Sequence, residues 1–259
     1  RVMLTLCLAL GQFPGCRSIS VVIPAKNEEN NIASCICAAR GAPCVKEVIV
    51  VDGGSNDGTP KIAENLGATV LSHFLPYWEG GGRGGQILKG VKAASGHVVV
   101  IVHADTVLPC SAFNKIIQVL NSGRYTIGGA VGCRFRTEQA GTVIKLKCGL
   151  IEFLNHTRVL ARGISFGDQV QFFRRIPIVS NNLYPDIPLM EDVELSLRLL
   201  AAGKLVYLNG RAQVSARRWE KKGLSNIFIV VSLFFSYLVK RAFGQPDTVR
   251  FFEKYYGRQ

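Results

Sequence analysis

The sequence lacks most of the features that assign a chain to a class at sight. It holds no run of about 20 apolar residues, the length a helix needs to cross a bilayer. None of its eight cysteines forms a CxxC pair; the nearest approach is Cys35-Ile36-Cys37. Its four histidines are scattered, so zinc-ligand spacing is absent. The cysteines therefore read as buried thiols of a reducing compartment, cytoplasmic or plastid-type. There is no GxxxxGK[ST] phosphate loop and no GxGxxG after the first strand, which leaves P-loop and Rossmann readings without support. Repeats, low-complexity tracts and linkers are missing too, so the core reads as one domain. Acids are scarce, 18 against 31 Lys and Arg, for a net charge of +13.

A chain of 259 residues buries roughly 70–75% of its unfolded surface and needs no disulfide staples. The first half alternates apolar strands with helices. Strands read at Ile19–Ile23, Val48–Val51, Thr69–Leu71 and Val98–Val102, and helices at Glu28–Arg40, Thr59–Leu66, Gln86–Ala94 and Ser111–Leu120. Strands apolar on both faces between amphipathic helices predict an α/β fold, a mostly parallel central sheet with helices on both faces. The second half is mixed: a strand over Ile127–Phe135, a long helix over Thr142–Leu160, a strand over Gln169–Phe173, a Pro-rich loop from Pro177 to Pro188 and a helix from Met190 to Ala202. Two short strands follow, at Val206–Leu208 and Ala212–Ala216.

Parallel sheets bind ligands outside the carboxyl ends of their strands. Three polar clusters sit there. Pro24-Ala25-Lys26-Asn27-Glu28 follows the first strand, Asp52-Gly53-Gly54-Ser55-Asn56-Asp57-Gly58 the second, and His103-Ala104-Asp105 the fourth. Asp52 can accept bonds from a ribose or base, or serve its own turn. His103 and Asp105, two residues apart, suit Mn²⁺, Mg²⁺ or a polar ligand, or read as a satisfied histidine beside a loop Asp. Arg83 stands among the glycines of GGGRGG, and Glu191 and Asp192 open a helix where the dipole favours acids.

In series, PAKNE, DGGSNDGT, the Gly/Arg loop, HAD and the ED pair resemble the family 2 glycosyltransferases with the GT-A nucleotide-sugar fold. The resemblance covers about residues 18–222. It is strongest to small bacterial and plastid-type members with HADT, a GDQ segment (Gly167 to Gln169), PLMEDVEL (Pro188 to Leu195) and SARRWE (Ser215 to Glu220). It implies that Asp52, Pro24, Ala25 and Glu28 wall a nucleotide pocket, with Ala104 beside them and Arg83 near the diphosphate. His103 stands where a DxD metal motif has its first Asp, and Asp105 keeps the second, so a Mn²⁺ or Mg²⁺ site is implied on Asp105 with His103. Asp192, then Glu191, is the implied general base of an inverting transfer to an acceptor hydroxyl. Asp168, Gln169, Arg217, Arg218 and Trp219 are implied on the acceptor side. Ser215 replaces the Gln of a QxxRW motif, which argues against a processive synthase.

Residues 211–259 hold ten Lys or Arg and three acids, a net +7. Within them Ile227–Val239 is uncharged and flanked by Lys221, Lys222, Lys240 and Arg241. Residues 223–259 thus read as a helical extension, packed on the domain or lying at a membrane surface through 221–241. A lipid-linked acceptor suits that segment, and nucleic acid is not expected as a partner. The chain opens on Arg1, which reads as a truncated or processed start, so a targeting segment is not visible. Two other classes stay open: a nucleotidyltransferase, disfavoured by PAKNE where a Gly-rich loop belongs, and a catalytically weak scaffold or basic binder.

Overall fold

The computed structural model describes residues 13, 15–123, 125–138, 140–217, 225–244 and 247–256. Eight strands make one sheet in the order β3-β2-β1-β4-β7-β6-β8-β5. They are β1 (Ile19–Ala25), β2 (Val45–Asp52), β3 (Thr69–Ser72), β4 (Val98–Ile101), β5 (Thr106–Val107), β6 (Thr126–Arg136), β7 (Val170–Arg174) and β8 (Lys204–Ser215). Strands β3, β2, β1 and β4 run parallel, as do β6 and β8, while β7 is antiparallel to β4 and β6. The helices are α1 (Ile32–Arg40), α2 (Thr59–Asn65), α3 (Gly82–Ala93), α4 (Cys110–Ser122), α5 (Thr142–Arg162), α6 (Arg175–Ser180), α7 (Glu191–Ala202), α8 (Ser225–Phe243) and α9 (Thr248–Tyr256).

The continuous apolar strands are explained by the sheet's two covered faces. Along β4, Val98 and Val100 join one core with Ile32 and Ile36 of α1 and Phe113 and Ile116 of α4. Val99 and Ile101 face the other way, into a core with Ile87 and Val91 of α3 and Leu195 and Leu199 of α7. Alternate residues bury on opposite sides, so no polar position is left in the strand.

Local readings shift at a few places. The predicted helix over Gln86–Ala94 begins earlier, at Gly82, and absorbs Gly82, Gly84 and Gly85 of GGGRGG into its first turn. Tight packing overrides glycine's poor helix propensity here. A Cβ on Gly84 would lie 1.9 Å from the Ile187 carbonyl oxygen. Gly84→Ala is therefore expected to destabilise the fold by about 1–3 kcal/mol or more, read as a lower denaturation midpoint. The two short strands predicted over 206–216 are one strand, β8, with a register irregularity against β6. The Pro-rich loop encloses most of the short α6.

The C-terminal helices are integral to the packing. Leu233 and Tyr237 of α8 and Phe251 and Phe252 of α9 bury with Tyr77, Leu189 and Val193. Glu194 of α7 is the polar hub: it accepts from Tyr237 Oη at 2.7 Å, Arg241 Nε at 2.6 Å and Arg198 Nε at 2.8 Å. Burial raises the cost of its charge, yet the bonds from Arg241, Arg198 and Tyr237 outweigh that and depress its pKa below 4.5. A depressed carboxyl stabilises the fold above its unfolded pKa and loses that contribution as pH falls through the folded one. Docking of α8 should therefore weaken on acidification below about pH 4.5, and E194Q should remove this pH dependence, as followed by limited proteolysis across the pH series.

Candidate active site

The loops at the carboxyl edge of β1, β2 and β4 surround a hollow of about 610 Å³. Pro24, Ala25, Glu28, His103, Ala104 and Asp105 line it, joined by Gly53, Arg83 and Asp168. Gln86 holds the edge together: its buried amide nitrogen donates to the Ala25 and Val51 carbonyls, both at 3.0 Å. This fixes β1 against β2 where their loops diverge.

The turn after β4 is anchored by its main chain. Thr106 N donates to His103 O at 2.9 Å, and Asp105 O accepts from Ser215 N at 3.3 Å and Arg136 Nη2 at 3.1 Å. Backbone bonds thus set the turn, and the side chains of His103 and Asp105 line the hollow. Among the described residues no group of three or more His, Cys, Asp or Glu could hold a metal ion. The chain offers one imidazole and one carboxylate. That fits a divalent cation whose remaining ligands are oxygens of a bound diphosphate and water.

Asp52 does not line the hollow. Its Oδ2 accepts from Gly54 N at 3.0 Å and Ser55 N at 3.1 Å, and its Oδ1 accepts from Ser55 Oγ at 2.5 Å. The carboxylate shapes the loop, while Gly53 beside it meets the hollow. Arg217, expected on the acceptor side, pairs with Glu28 at 2.5 Å, because β8 pairs with β5 and brings the chain to the Glu28 side of the hollow. Arg218, Trp219 and residues 221–224 lie outside the described residues.

A second, mainly apolar cavity of about 130 Å³ adjoins the first. Arg83, Gly167, Asp168 and Tyr256 line both. Asp192 lines only the second. Its Oδ2 accepts from Gly167 N at 2.6 Å and lies 3.5 Å from Arg83 Nη2, while Oδ1 accepts from Val193 N at 2.8 Å. The two acids are not equivalent. Glu191 is deeply buried, with Arg83 Nε 2.5 Å from its Oε1. Burial pushes the Glu191 carboxyl up, and the Arg83 charge works against that. Met190, just before the pair, holds a left-handed φ of 66°. Strain of that kind in a non-glycine residue persists where packing enforces it, often at functional positions. Gln169 sits behind the cavity, its Oε1 accepting from Arg158 Nη2 and Phe166 N, both at 3.2 Å. Arg158 stacks on Phe166 at 3.4 Å, and burial pulls its pKa down to about 10.

Sequence reasoning missed one wall. His73, Phe74, Tyr77 and Trp78 line the larger hollow, as do Phe252 and Tyr256 of α9. HFLPYW is a visible aromatic cluster, but only the fold brings Phe252 onto Tyr77, with ring centroids 4.6 Å apart.

A two-faced, mostly parallel α/β sheet with a hollow at its carboxyl edge matches the GT-A fold. The chain belongs to glycosyl transferase family 2, whose model matches residues 20–179. It is 37% identical over 102 residues to the glucosyl-3-phosphoglycerate synthase of Mycobacterium tuberculosis, across 38% of this chain and 32% of that one. An uncharacterized glycosyltransferase of the same organism is 29% identical over 112 residues, 43% of this chain and 48% of its own length. The matches thus span half or less of these curated relatives. The solved structure of the same synthase with Mn²⁺, UDP and glucosyl-3-phosphoglycerate superposes with a TM-score of 0.58 at 25% identity, covering 95% of this chain and 84% of that one.

Proposed function

We propose that this chain transfers a sugar from a nucleoside diphosphate donor, with uridine diphosphate sugars the first class to test, to an acceptor hydroxyl with inversion. The observation that carries it is the junction of the two cavities. The hollow holding His103 and Asp105 meets the cavity holding Asp192 at Arg83, Gly167 and Asp168.

Pro24, Ala25, Glu28 and the Gly53 turn position the nucleotide, with Asp52 holding that turn in shape. Asp105 and His103 would hold Mn²⁺ or Mg²⁺, which when bound supplies Lewis-acid stabilisation of the leaving diphosphate. Asp192 takes the acceptor's proton as the hydroxyl attacks; its place on the cavity wall suits this better than Glu191's burial. Arg83, bonded to both acids, orients Asp192 and presents positive charge at the junction. Asp168 borders the reacting centre, and Gln169 supports it from behind.

Contact with a membrane through 221–241 and a lipid-linked acceptor belong to this reading, supported by the cations flanking the apolar stretch of α8. No described helix is long and apolar enough to cross a membrane. A reducing compartment accords with the free thiols of Cys16, Cys35, Cys37, Cys44, Cys110 and Cys133.

Thermal denaturation with UDP- and GDP-sugars, with and without Mn²⁺, tests the donor side, because a ligand of the folded state raises the Tm by mass action. A metal-dependent shift with one nucleotide is expected. No shift with any nucleotide in a folded sample would overturn the reading in favour of a scaffold or binder. The anomeric proton coupling of the product then reads the stereochemistry.

A further inference from the structure

A surface helix ordinarily turns polar residues to water. Helices α5 and α8 do not. On α5 the outward stripe is Val143, Leu146, Leu150, Phe153 and Leu160, with Leu146 71% and Phe153 62% exposed. On α8 it is Phe228, Val231, Phe235, Val239 and Phe243, with Phe228 76% and Phe235 60% exposed. Single exposed apolar residues are unremarkable; two uncharged stripes at helical spacing are not.

The two helices share a cavity. Ile151, Leu154 and Arg158 of α5 and Val230, Val231 and Leu233 of α8 line the space that ends at Asp192. Leu154 and Val231 are themselves solvent-exposed, so the mouth of the cavity opens through the apolar surface. The exposed charges of the two helices have one sign. Lys145, Lys147 and Arg162 edge α5 and Lys240 ends α8. The one acid of α5, Glu152, is turned inward to accept from Phe135 N at 2.6 Å, and α8 has none.

We propose that α5 and α8 together form a docking face for an anionic bilayer, and that the acceptor is an amphiphile entering from that bilayer with its hydroxyl head reaching Asp192 between the two helices. This deepens, and rests on, the assignment of Asp192 to the acceptor side. Apolar side chains sink into the headgroup–acyl boundary while flanking cations meet anionic lipid. A second copy of the chain on this face would cover the cavity mouth and shut the acceptor out, whereas a bilayer delivers it.

The test is flotation of the full chain with vesicles of phosphatidylcholine alone or of an equal mixture with phosphatidylglycerol. Expected is flotation with the mixed vesicles, strongly reduced in F153E and in F235E; both positions are exposed, so folding is retained. In L154W the added fluorescence should be quenched by brominated lipid. In K61W, placed on exposed α2 toward the opposite edge of the sheet, it should not. The proposal is overturned by absence of flotation, by flotation that F153E and F235E leave unchanged, by equal quenching at both tryptophans, or by a dimer in sedimentation that F153E dissociates. The Mn²⁺-dependent shift with UDP, recorded on the same samples, separates the two readings. A protein that binds nucleotide but not vesicles sinks the docking face alone. One that floats as described without binding any nucleotide sinks the donor assignment.

Discussion

D192N is expected to lower kcat by about 10²–10⁴, the usual contribution of a general base, while metal-dependent UDP binding persists. Asparagine keeps the shape of the side chain but cannot take a proton from the attacking hydroxyl. Both carboxylate oxygens accept main-chain N–H bonds, from Gly167 and Val193. Either orientation of the amide therefore sets an NH₂ group against one of those donors, at a cost of about 1–3 kcal/mol in stability. Rates belong well below the variant's Tm. E191Q supplies the contrast. Glu191 faces Arg83 in a nearly dry pair, and breaking such a pair costs about 3–5 kcal/mol, so its signature should be a lower Tm more than slower chemistry. A D192N enzyme with normal kcat would remove Asp192 from the base role.

The second large effect is at the turn after β4. D105A is expected to weaken Mn²⁺-dependent UDP binding by at least about 100-fold, since loss of even an outer partner of a metal ligand costs 10–100-fold. That is about 2.7 kcal/mol of binding, visible as a vanished thermal shift. The fold should survive, because the main-chain oxygen of Asp105 holds the bonds from Arg136 and Ser215. H103A should cost less, as it leaves the carboxylate in place. An undiminished shift in D105A, with metal still required, would place the cation elsewhere.

What could be read from the sequence, and what could not, follows one physical line. Strands such as Val98–Ile101 are legible because burial on both faces forces a continuous apolar run. Their ends are legible because that run stops at His103 and Asp105, and the larger hollow forms there. The GRGG turn of α3 was hidden because glycine signals a loop locally, whereas here it permits close approach to the Ile187 carbonyl. The Gln86 clamp, the Arg217–Glu28 pair and the α9 aromatics join positions far apart in the chain, and no periodicity encodes them. The C-terminal extension reads from its sequence as packed on the domain or at a membrane surface, and no periodicity shows that Tyr237 and Arg241 meet at Glu194, two residues past Asp192.

The shared wall of the two cavities has a thermodynamic consequence. Arg83, Gly167, Asp168 and Tyr256 border both, so under the proposed assignment whatever a nucleotide does to those residues alters the surface the acceptor meets. Linkage makes that influence mutual: the factor by which one ligand changes the affinity of the other must be the same in both directions. On the proposed assignment, donor and acceptor affinities are expected to be coupled quantities, and a substitution in the partition between the cavities to change the two together.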